Sequence, residues 1–295
     1  MMAQQQVLLS KKEFNMQHTF ESAQPLTFFG DYDKKAGIIS YPYAGVMVRV
    51  GRNGRVVGDY SNLKKAVEAD VYRRFRAWED IKDVYSKIGT DPFIEGGINE
   101  YYGMRLTHNL PWETTLTFII SQFNNVKRIR QITKRLMEVH GQPVFSTDGA
   151  VAGKGIPDQE TLAHATEESI AKCGAGFRTK YIRSAAEYCS YSLDLEKLGK
   201  LGYEELKAEL MEIDGVGDKV ADCIALMGYG KLEAFPIDTW IKRLIEAAYF
   251  GGKKTGIAKI HEFARERWGE YAGYAQQYIF WYGRNWWKKW NSGKA

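Results

Sequence analysis

The feature that most constrains the fold is a glycine turn between two helical patterns. "YEELKAELMEI" has the apolar spacing of a helix, "DGVG" follows, and "DKVADCIALM" resumes that spacing. Gly215 and Gly217 lack a Cβ, so the turn can adopt positive φ and bring its amides close to another surface. The next helix begins with unpaired N–H groups and the positive end of its dipole. Such a turn can bind a DNA phosphate, although a plain glycine-capped turn has the same G-x-G pattern.

Two ionisable residues follow this turn. Lys219 lies in the first turn of the second helix, where the dipole disfavours a cation, and a neutral amine there can form a Schiff base with a sugar carbon. It can equally be a surface lysine that contacts phosphate as a simple charge. After Pro236, Asp238 or Thr239 lies where a helix N-cap is expected. An ionised carboxylate there can stabilise positive charge on a deoxyribose ring, or it can be a cap and nothing more.

The periodicity predicts an α+β fold: a small N-terminal antiparallel β-sheet domain packed on a mostly α-helical body that contains a helix-hairpin-helix motif. Strands are expected up to about residue 62, with a hairpin at Asn53-Gly54, and no strand is expected afterwards. One continuous helical pattern begins at Pro111 and stops at Gly141. We expect an N-terminal α+β domain over 1–106 and a helical domain over 107–295.

Composition narrows the class of protein. The 295 residues carry a net charge of +5, which is compatible with a nucleic-acid partner. Three cysteines without a C-x-x-C pair favour a reducing cytosol, and five scattered histidines offer no zinc or iron–sulfur ligand set. No apolar run reaches the roughly 20 residues of a membrane span. We expect no cofactor, no membrane partner, a monomer, and a cytoplasmic location that is nucleoid-associated if the source is prokaryotic.

The segment "MEIDGVGDKVADCIALMGYGKLEAFPIDTWIKR" resembles the signature of the helix-hairpin-helix (HhH-GPD) DNA glycosylases, and more specifically their 8-oxoguanine branch. The resemblance covers roughly residues 92–284. It implies a base-excision-repair glycosylase with lyase activity that acts on double-stranded DNA containing a damaged base. By position, Lys219 matches the Schiff-base nucleophile and Asp238 the catalytic carboxylate.

The resemblance also implies roles for two further groups of residues. The expected base pocket uses Cys223 and Phe280 as a sandwich, Gln276 for the base edge, and the neighbouring Ala23 and Trp240. The expected DNA contacts, which include arginines for the orphaned partner base and an aromatic wedge, are Gly215, Val216, Gly217, Phe123, Asn124, Asn125, Arg128, Phe177, Arg178 and Arg284. In the family, the backbone of the hairpin often holds a monovalent cation, and we expect no other metal.

Three positions depart from the family pattern. Phe123 stands where an asparagine is usual, and a bulky apolar residue after a glutamine resembles the wedge of the alkylation-type glycosylases. Ala23-Gln24 replaces a glycine-glutamine motif, and Trp240 stands where several relatives have histidine.

Three hypotheses follow for the function. The first hypothesis, which the resemblance implies, is 8-oxoguanine excision. The second is excision of an alkylated base (3-methyladenine, 1-methyladenine or ethenoadenine) by a monofunctional mechanism through Asp238, and the third is a non-catalytic DNA-binding module.

Overall fold

The structure, a computed structural model, describes residue 9 and residues 13–291. Within them lie six strands, β1 Asp31–Asp33, β2 Ile38–Tyr43, β3 Val46–Gly51, β4 Arg55–Val56, β5 Pro143–Phe145 and β6 Val151–Lys154. They form one sheet of order β1-β2-β3-β5-β6, with β4 paired to the end of β3. The small N-terminal sheet is thereby confirmed. All pairings are antiparallel except β3 with β5, which run parallel with Val46 opposite Phe145.

The late strands β5 and β6 correct the expectation that strands end near residue 62. They are only three and four residues long, and Gly153 interrupts the second, so no alternating pattern marks them in the sequence. They pair with β3, and the sheet therefore draws on both sides of the predicted boundary between residues 106 and 107. That boundary stays a prediction, and its outer limits at residues 1 and 295 lie outside the described residues.

The Asn53-Gly54 hairpin is confirmed. Asn53 and Gly54 have φ values of 71° and 69°, the left-handed conformation that a tight turn needs, and they join β3 to β4. The longer hairpin, between β2 and β3, turns at Ala44 and Gly45 with φ values of 48° and 77°. Alanine is a weak signal for that conformation, so the sequence did not predict this turn.

Sixteen α-helices lie within the described residues. They are α1 Met16–Glu21, α2 Pro25–Phe29, α3 Lys64–Arg74, α4 Ile81–Ile88, α5 Pro92–Glu100, α6 Pro111–Ser121, α7 Val126–His140, α8 Gln159–His164, α9 Glu167–Lys172, α10 Thr179–Tyr191, α11 Leu195–Leu198, α12 Tyr203–Met211, α13 Asp218–Gly228, α14 Thr239–Tyr249, α15 Ile257–Trp268 and α16 Ala272–Asn291. No described helix combines the length and apolar character needed to cross a bilayer.

The expected continuous helix from Pro111 to Gly141 is wrong. It breaks into α6 and α7 because Phe123 takes a left-handed φ of 46°. Asn125 then caps α7 by accepting a hydrogen bond from the Arg128 amide (3.0 Å). The break matters because it places a loop, rather than a helix side, next to the glycine turn.

Helix α13 is the centre of the helical body. Every residue from Val220 to Gly228 is buried, and α6 and α12 pack against it. A second, smaller core lies between the sheet and α1–α3, where Ile39, Tyr41, Val48 and Val50 are fully buried. Burial of these side chains is the main favourable term that holds each part together.

Arg74 joins the two cores. Its guanidinium is fully buried, donates from Nη1 to Asn109 Oδ1 and Glu113 Oε2 (2.9 Å each), and forms a salt bridge with Asp70 (3.2 Å). It also lies 4.5 Å from the ring centroid of Tyr41 on β2. Burial alone would raise the pKa of Asp70, but the charges of Arg74 and Arg73 outweigh it and lower that pKa. Glu113 in turn accepts from the Leu110 amide (3.2 Å) at the start of α6.

We expect Arg74→Met to lower the free energy of unfolding by about 3–5 kcal/mol, because it removes the buried cation of Glu113 and leaves Asp70 paired with Arg73 alone. Urea denaturation followed by circular dichroism measures this change. Lys172→Ala is the matched control, since Lys172 pairs with Glu168 on the surface and its loss should leave the midpoint unchanged. Equal midpoints for wild type and Arg74→Met would contradict the structural role of this network.

Candidate active site

The glycine turn between α12 and α13 has the conformation that its sequence predicts. Gly215 has a φ of 82°, and a Cβ there would lie 2.7 Å from the ring of Tyr181, so no other residue fits without rearrangement. Gly217 is the N-cap of α13, and the space where its Cβ would lie is empty. The amides of the first two residues of α13 find no acceptor among the described residues. The turn therefore leaves N–H groups available to an anion.

The carbonyl groups of the same turn fit a cation less well. The Gly215 carbonyl accepts from Gln122 Nε2 (2.9 Å), and the Gly217 carbonyl accepts from two amides in the first turn of α13 (2.9 Å each). The Val216 carbonyl has no donor within the described part of the chain, and the Val216 side chain is buried. One unpaired carbonyl does not make a coordination site, so the monovalent cation stays a prediction.

Lys219 and Asp238 line the same cavity, which has a volume of about 260 Å³. Lys219 is half-buried, and its Nζ lies 5.1 Å from the ring centroid of Phe118. Asp238 accepts from the Ile241 amide (2.7 Å) and caps α14. Asp238 can both cap α14 and line the cavity, because the helix uses only one of its carboxylate oxygens.

Most of the predicted pocket residues meet at this cavity. Those that line it are Ala23, Asn124, Asn125, Lys219, Cys223, Asp238, Gln276, Phe280 and Arg284. Cys223 and Lys219 are one helical turn apart and face the same way, as expected. Phe28 and Phe118 also line the cavity, and the sequence did not indicate them, because buried aromatic residues in helices carry no distinguishing signal.

Gln276 presents an unpaired acceptor to the pocket. Its Nε2 donates to the Pro236 carbonyl (3.2 Å), which fixes the amide, while its buried Oε1 has no donor among the described residues. A buried acceptor without a donor costs about 1–3 kcal/mol. A ligand with an N–H group at this point would remove that cost.

Ala23 is held in a strained backbone conformation at the pocket wall. Its φ is 61°, the left-handed region, and its carbonyl accepts no hydrogen bond from the described residues. Gln24 anchors this loop, because its Nε2 donates to the Arg105 carbonyl (2.9 Å) and its Oε1 accepts from the Thr107 amide (2.6 Å). Backbone strain of this kind persists where the surroundings enforce it, often at functional sites.

Two aromatic side chains project from the surface beside the glycine turn. Phe123 is 97% exposed and Phe177 is 51% exposed, and their ring centroids are 6.3 Å apart. Arg128 is exposed on the first turn of α7, next to the same loop. An apolar ring this exposed has no role in the core, which favours a role against another molecule.

Arg178 is buried in this structure, and the expectation that it reads a partner base stays a prediction. Its guanidinium is buried: Nε donates to the Gln122 carbonyl (2.9 Å), Nη2 donates to the Phe123 carbonyl (3.2 Å), and the group stacks 4.3 Å from the Phe177 ring centroid. With Gln122, which bonds the glycine turn, Arg178 fixes the loop that carries Phe123. It therefore acts as a positioning residue in this conformation.

Trp240 is also placed differently from the expectation. It does not line the cavity but packs edge-on against Trp287, with ring centroids 5.6 Å apart. Phe280 faces the cavity while its neighbour Trp281 packs against Tyr101 (6.2 Å), as expected from the sequence. A second, larger groove of about 900 Å³ lies elsewhere, between the β2–β3 turn and α11, and contains neither Lys219 nor Asp238.

A family model identifies this arrangement. Residues 116–270, more than half of the chain, match the model described as "HhH-GPD superfamily base excision DNA repair protein". The matched segment contains the glycine turn, Lys219 and Asp238. The chain belongs to the HhH-GPD superfamily.

The similar proteins carry the names N-glycosylase/DNA lyase, endonuclease III and DNA-3-methyladenine glycosylase. A probable N-glycosylase/DNA lyase of Methanothermobacter thermautotrophicus is 29% identical over 219 residues, 68% of this chain and 70% of the relative. The structure of MBOgg1 with a low-affinity DNA ligand is 32% identical, with a TM-score of 0.84 and 93% of each chain covered. The Clostridium acetobutylicum 8-oxoguanine glycosylase/lyase, bound to DNA with cytosine opposite 8-oxoguanine, is 27% identical, with a TM-score of 0.82 and 93% of each chain covered.

The thiols of this HhH-GPD protein should be inert while it is folded. All three cysteines are buried, and burial raises the pKa of Cys223 to about 11, partly offset by Lys219, and that of Cys189 to about 12. Only the thiolate reacts with disulfide reagents. We expect no fast reaction with Ellman's reagent at about pH 8, below those pKa values, and three equivalents after denaturation in guanidinium. A fast equivalent that disappears in Cys223→Ser would contradict a protonated pocket thiol.

Proposed function

We propose that this HhH-GPD protein is a DNA glycosylase with lyase activity that removes 8-oxoguanine from double-stranded DNA. The observation that carries the proposal is that an amine, a carboxylate and an unpaired amide oxygen line one cavity between Cys223 and Phe280. The names of the similar proteins, N-glycosylase/DNA lyase and 8-oxoguanine glycosylase/lyase, support it. We also propose a cytoplasmic monomer, associated with the nucleoid if the source is prokaryotic.

The proposed reaction begins at the sugar carbon that holds the base. The neutral amine of Lys219 attacks C1′, the bond between C1′ and the base breaks, and the base leaves with the bonding electron pair and takes up a proton. Ring opening gives a Schiff base between Lys219 and C1′. Loss of a C2′ proton then expels the 3′ phosphate, which nicks the strand. The Asp238 carboxylate, held as the cap of α14, stabilises the positive charge that develops on the sugar.

The pocket wall supports 8-oxoguanine as the substrate. Guanine presents an acceptor at N7, whereas 8-oxoguanine carries a hydrogen there. The Ala23 carbonyl, which has no donor among the described residues, can accept from that N–H group and is repelled by the guanine N7 lone pair. The Gln276 Oε1 atom can accept from an N–H group at the other edge of the base. Two such hydrogen bonds are enough for strong discrimination between bases.

Extrusion of the base requires the duplex to open, at a cost of a few kcal/mol. Phe123 is the proposed wedge, since its ring is almost fully exposed and its loop is fixed by Arg178 and Gln122. The amides at the start of α13 would bind a backbone phosphate, and Arg128 would face the strand opposite the lesion. Phe177, whose ring lies 6.3 Å from that of Phe123, would support the wedge.

The sequence Gln122-Phe123 favours a second candidate function, excision of an alkylated base. A wedge of this type resembles that of the alkylation-type glycosylases, and in that function Asp238 assists departure of the base while water attacks the sugar. Lys219 would then be dispensable for base release. A non-catalytic DNA-binding module would need neither residue, so any turnover of a lesion duplex excludes it.

We expect Lys219→Gln to abolish strand nicking and borohydride trapping on a duplex with 8-oxoguanine opposite cytosine, because it lacks the attacking amine. Asp238→Asn should lower the rate of base release by about 10²–10³-fold, as for loss of one electrostatic group in a preorganised site. Single-turnover assays with and without hot alkali separate base release from nicking. Lys231→Gln, which removes a lysine that is bonded to the Leu201 carbonyl away from the cavity, is the control.

The same assay on a duplex with 1,N6-ethenoadenine opposite thymine distinguishes the two candidates. Base release from that duplex alone, retained in Lys219→Gln and lost in Asp238→Asn, would replace the 8-oxoguanine proposal with the alkyl-base function. A trapped adduct on 8-oxoguanine DNA with wild type would exclude the monofunctional mechanism for this lesion.

We expect Phe123→Ala to weaken binding to the lesion duplex by at least about five-fold, since an aromatic ring stacked on a base contributes about 1–3 kcal/mol. Fluorescence anisotropy at fixed salt measures the affinity. Phe145→Ala is the matched control, because Phe145 is an exposed phenylalanine on β5 rather than beside the glycine turn. Equal losses for the two variants would show that Phe123 does not act as a wedge.

A further inference from the structure

Helices α13 and α15 together carry a cluster of three possible metal ligands. Asp218 and Asp222 are one turn apart on α13, and His261 approaches them from α15. His261 Nε2 lies 3.8 Å from Asp218 Oδ2 and 3.8 Å from Asp222 Oδ2, and the three ligand atoms lie within 4.8 Å of one another. Within the described residues this is the one group of at least three such side chains.

Neighbouring side chains satisfy only the outer oxygens of this cluster. Lys207 Nζ bridges Asp218 Oδ1 and Asp222 Oδ1 at 2.8 Å each, and the Tyr203 hydroxyl donates to the same Asp222 oxygen (2.6 Å). The inner oxygen, Asp222 Oδ2, belongs to a side chain with no exposed surface and has no hydrogen-bond partner among the described residues, and His261 Nε2 has none either. A buried carboxylate oxygen left in this state is costly unless a cation reaches it.

We propose that Asp218, Asp222 and His261 form a site for a divalent first-row transition ion, with Zn²⁺ as the representative. Oxygen and nitrogen ligands lie about 2.0–2.2 Å from Zn²⁺, so two ligand atoms at the tetrahedral angle are roughly 3.3–3.6 Å apart. The 3.8 Å separations from the imidazole exceed that range by about 0.2 Å, a difference that a small side-chain rotation would remove. Two carboxylates and one imidazole suit Zn²⁺, Mn²⁺ or Fe²⁺, with water in the remaining positions.

Lys207 and Tyr203 would complete this site from outside. By holding the outer oxygens they orient both carboxylates toward the imidazole, the role that hydrogen-bonded neighbours play around protein metal ions. Together with neutral His261, the two carboxylates and the ammonium leave one net negative charge, which a divalent ion reverses. The site uses side chains and is separate from the backbone cation that the family resemblance implies.

The proposed ion has a consequence for the glycine turn. Asp218 directly follows Gly217, so its carboxylate lies near the amides that would bind a DNA phosphate and repels that phosphate. A bound ion neutralises this repulsion and ties α15 to the first turns of α13. The site does not depend on which lesion the protein excises.

Cobalt spectroscopy tests the proposal directly on the full chain. After treatment with EDTA and removal of the chelator, titration with Co²⁺ should give visible absorption that saturates at one equivalent. The absorption should be lost in His261→Gln and retained in His164→Gln, the matched control, since His164 is an exposed histidine at the end of α8. Asp218→Asn, at an exposed ligand, should weaken Co²⁺ binding at least about ten-fold.

Thermal unfolding gives an independent measurement. Zn²⁺ in roughly hundred-fold excess over its dissociation constant should raise the Tm of wild type by about 5 °C, and should leave His261→Gln unchanged. Absence of saturable Co²⁺ absorption in wild type, or an equal Tm rise in His261→Gln, would overturn the proposal. A Tm that is unchanged by metal but rises on acidification would likewise overturn the proposal. Protonated His261 would then satisfy the buried Asp222 oxygen in place of a metal ion.

Discussion

The buried cation of Arg74 is the interaction on which the rest of the architecture depends. A guanidinium without access to water needs anions around it, and these come from its own helix, at Asp70, and from the start of α6, at Glu113. Its face lies against Tyr41 of the sheet. Because α6 packs along α13, the network sets the position of the sheet relative to the helix that carries Lys219. Asn109 extends the link, since its side chain accepts from Arg74 and its amide donates to the Met227 carbonyl near the end of α13 (2.7 Å).

The candidate active site is built from loops and helix ends rather than from the middles of helices and strands. The strained loop at Ala23 lies between α1 and α2, and the loop that carries Phe123 separates α6 from α7. Lys219 and Asp238 both lie at the starts of helices. Helix ends offer unpaired backbone groups and oriented dipoles that helix interiors lack. Gln24 and Arg178 hold two of these breaks by bonding to carbonyls distant in sequence. The resulting site is rigid where the base is expected and exposed where the duplex is expected.

Short-range sequence patterns predicted the chemistry of the site better than its supporting contacts. The positions of Lys219 and Cys223 follow from local spacing after the glycine turn, those of Gln276 and Phe280 follow from family resemblance, and all four side chains line the cavity. The burial of Arg178 could not be predicted, because its partners are carbonyls of residues 122 and 123 in a loop that interrupts a helical pattern.

Contacts between distant elements explain the remaining differences from the sequence-based predictions. The contact of Trp240 with Trp287 could not be predicted, because it depends on how α14 and α16 pack. The short strands β5 and β6 owe their conformation to pairing with β3 and with each other, and carry little β-signal of their own.

The pairing of β5 with β3 makes completion of the sheet a late event in synthesis. Residues 31–56 supply four strands, but the edge of β3 beside Val46 has no partner until Phe145 has been made. At roughly 5–20 residues per second, a ribosome needs several seconds to add the intervening chain. During that time the edge exposes unpaired backbone groups of the kind that recruit other strands. The N-terminal strands therefore cannot complete their sheet before the later part of the chain is present. We expect the sheet and the helical body to reach their final form together rather than one after the other.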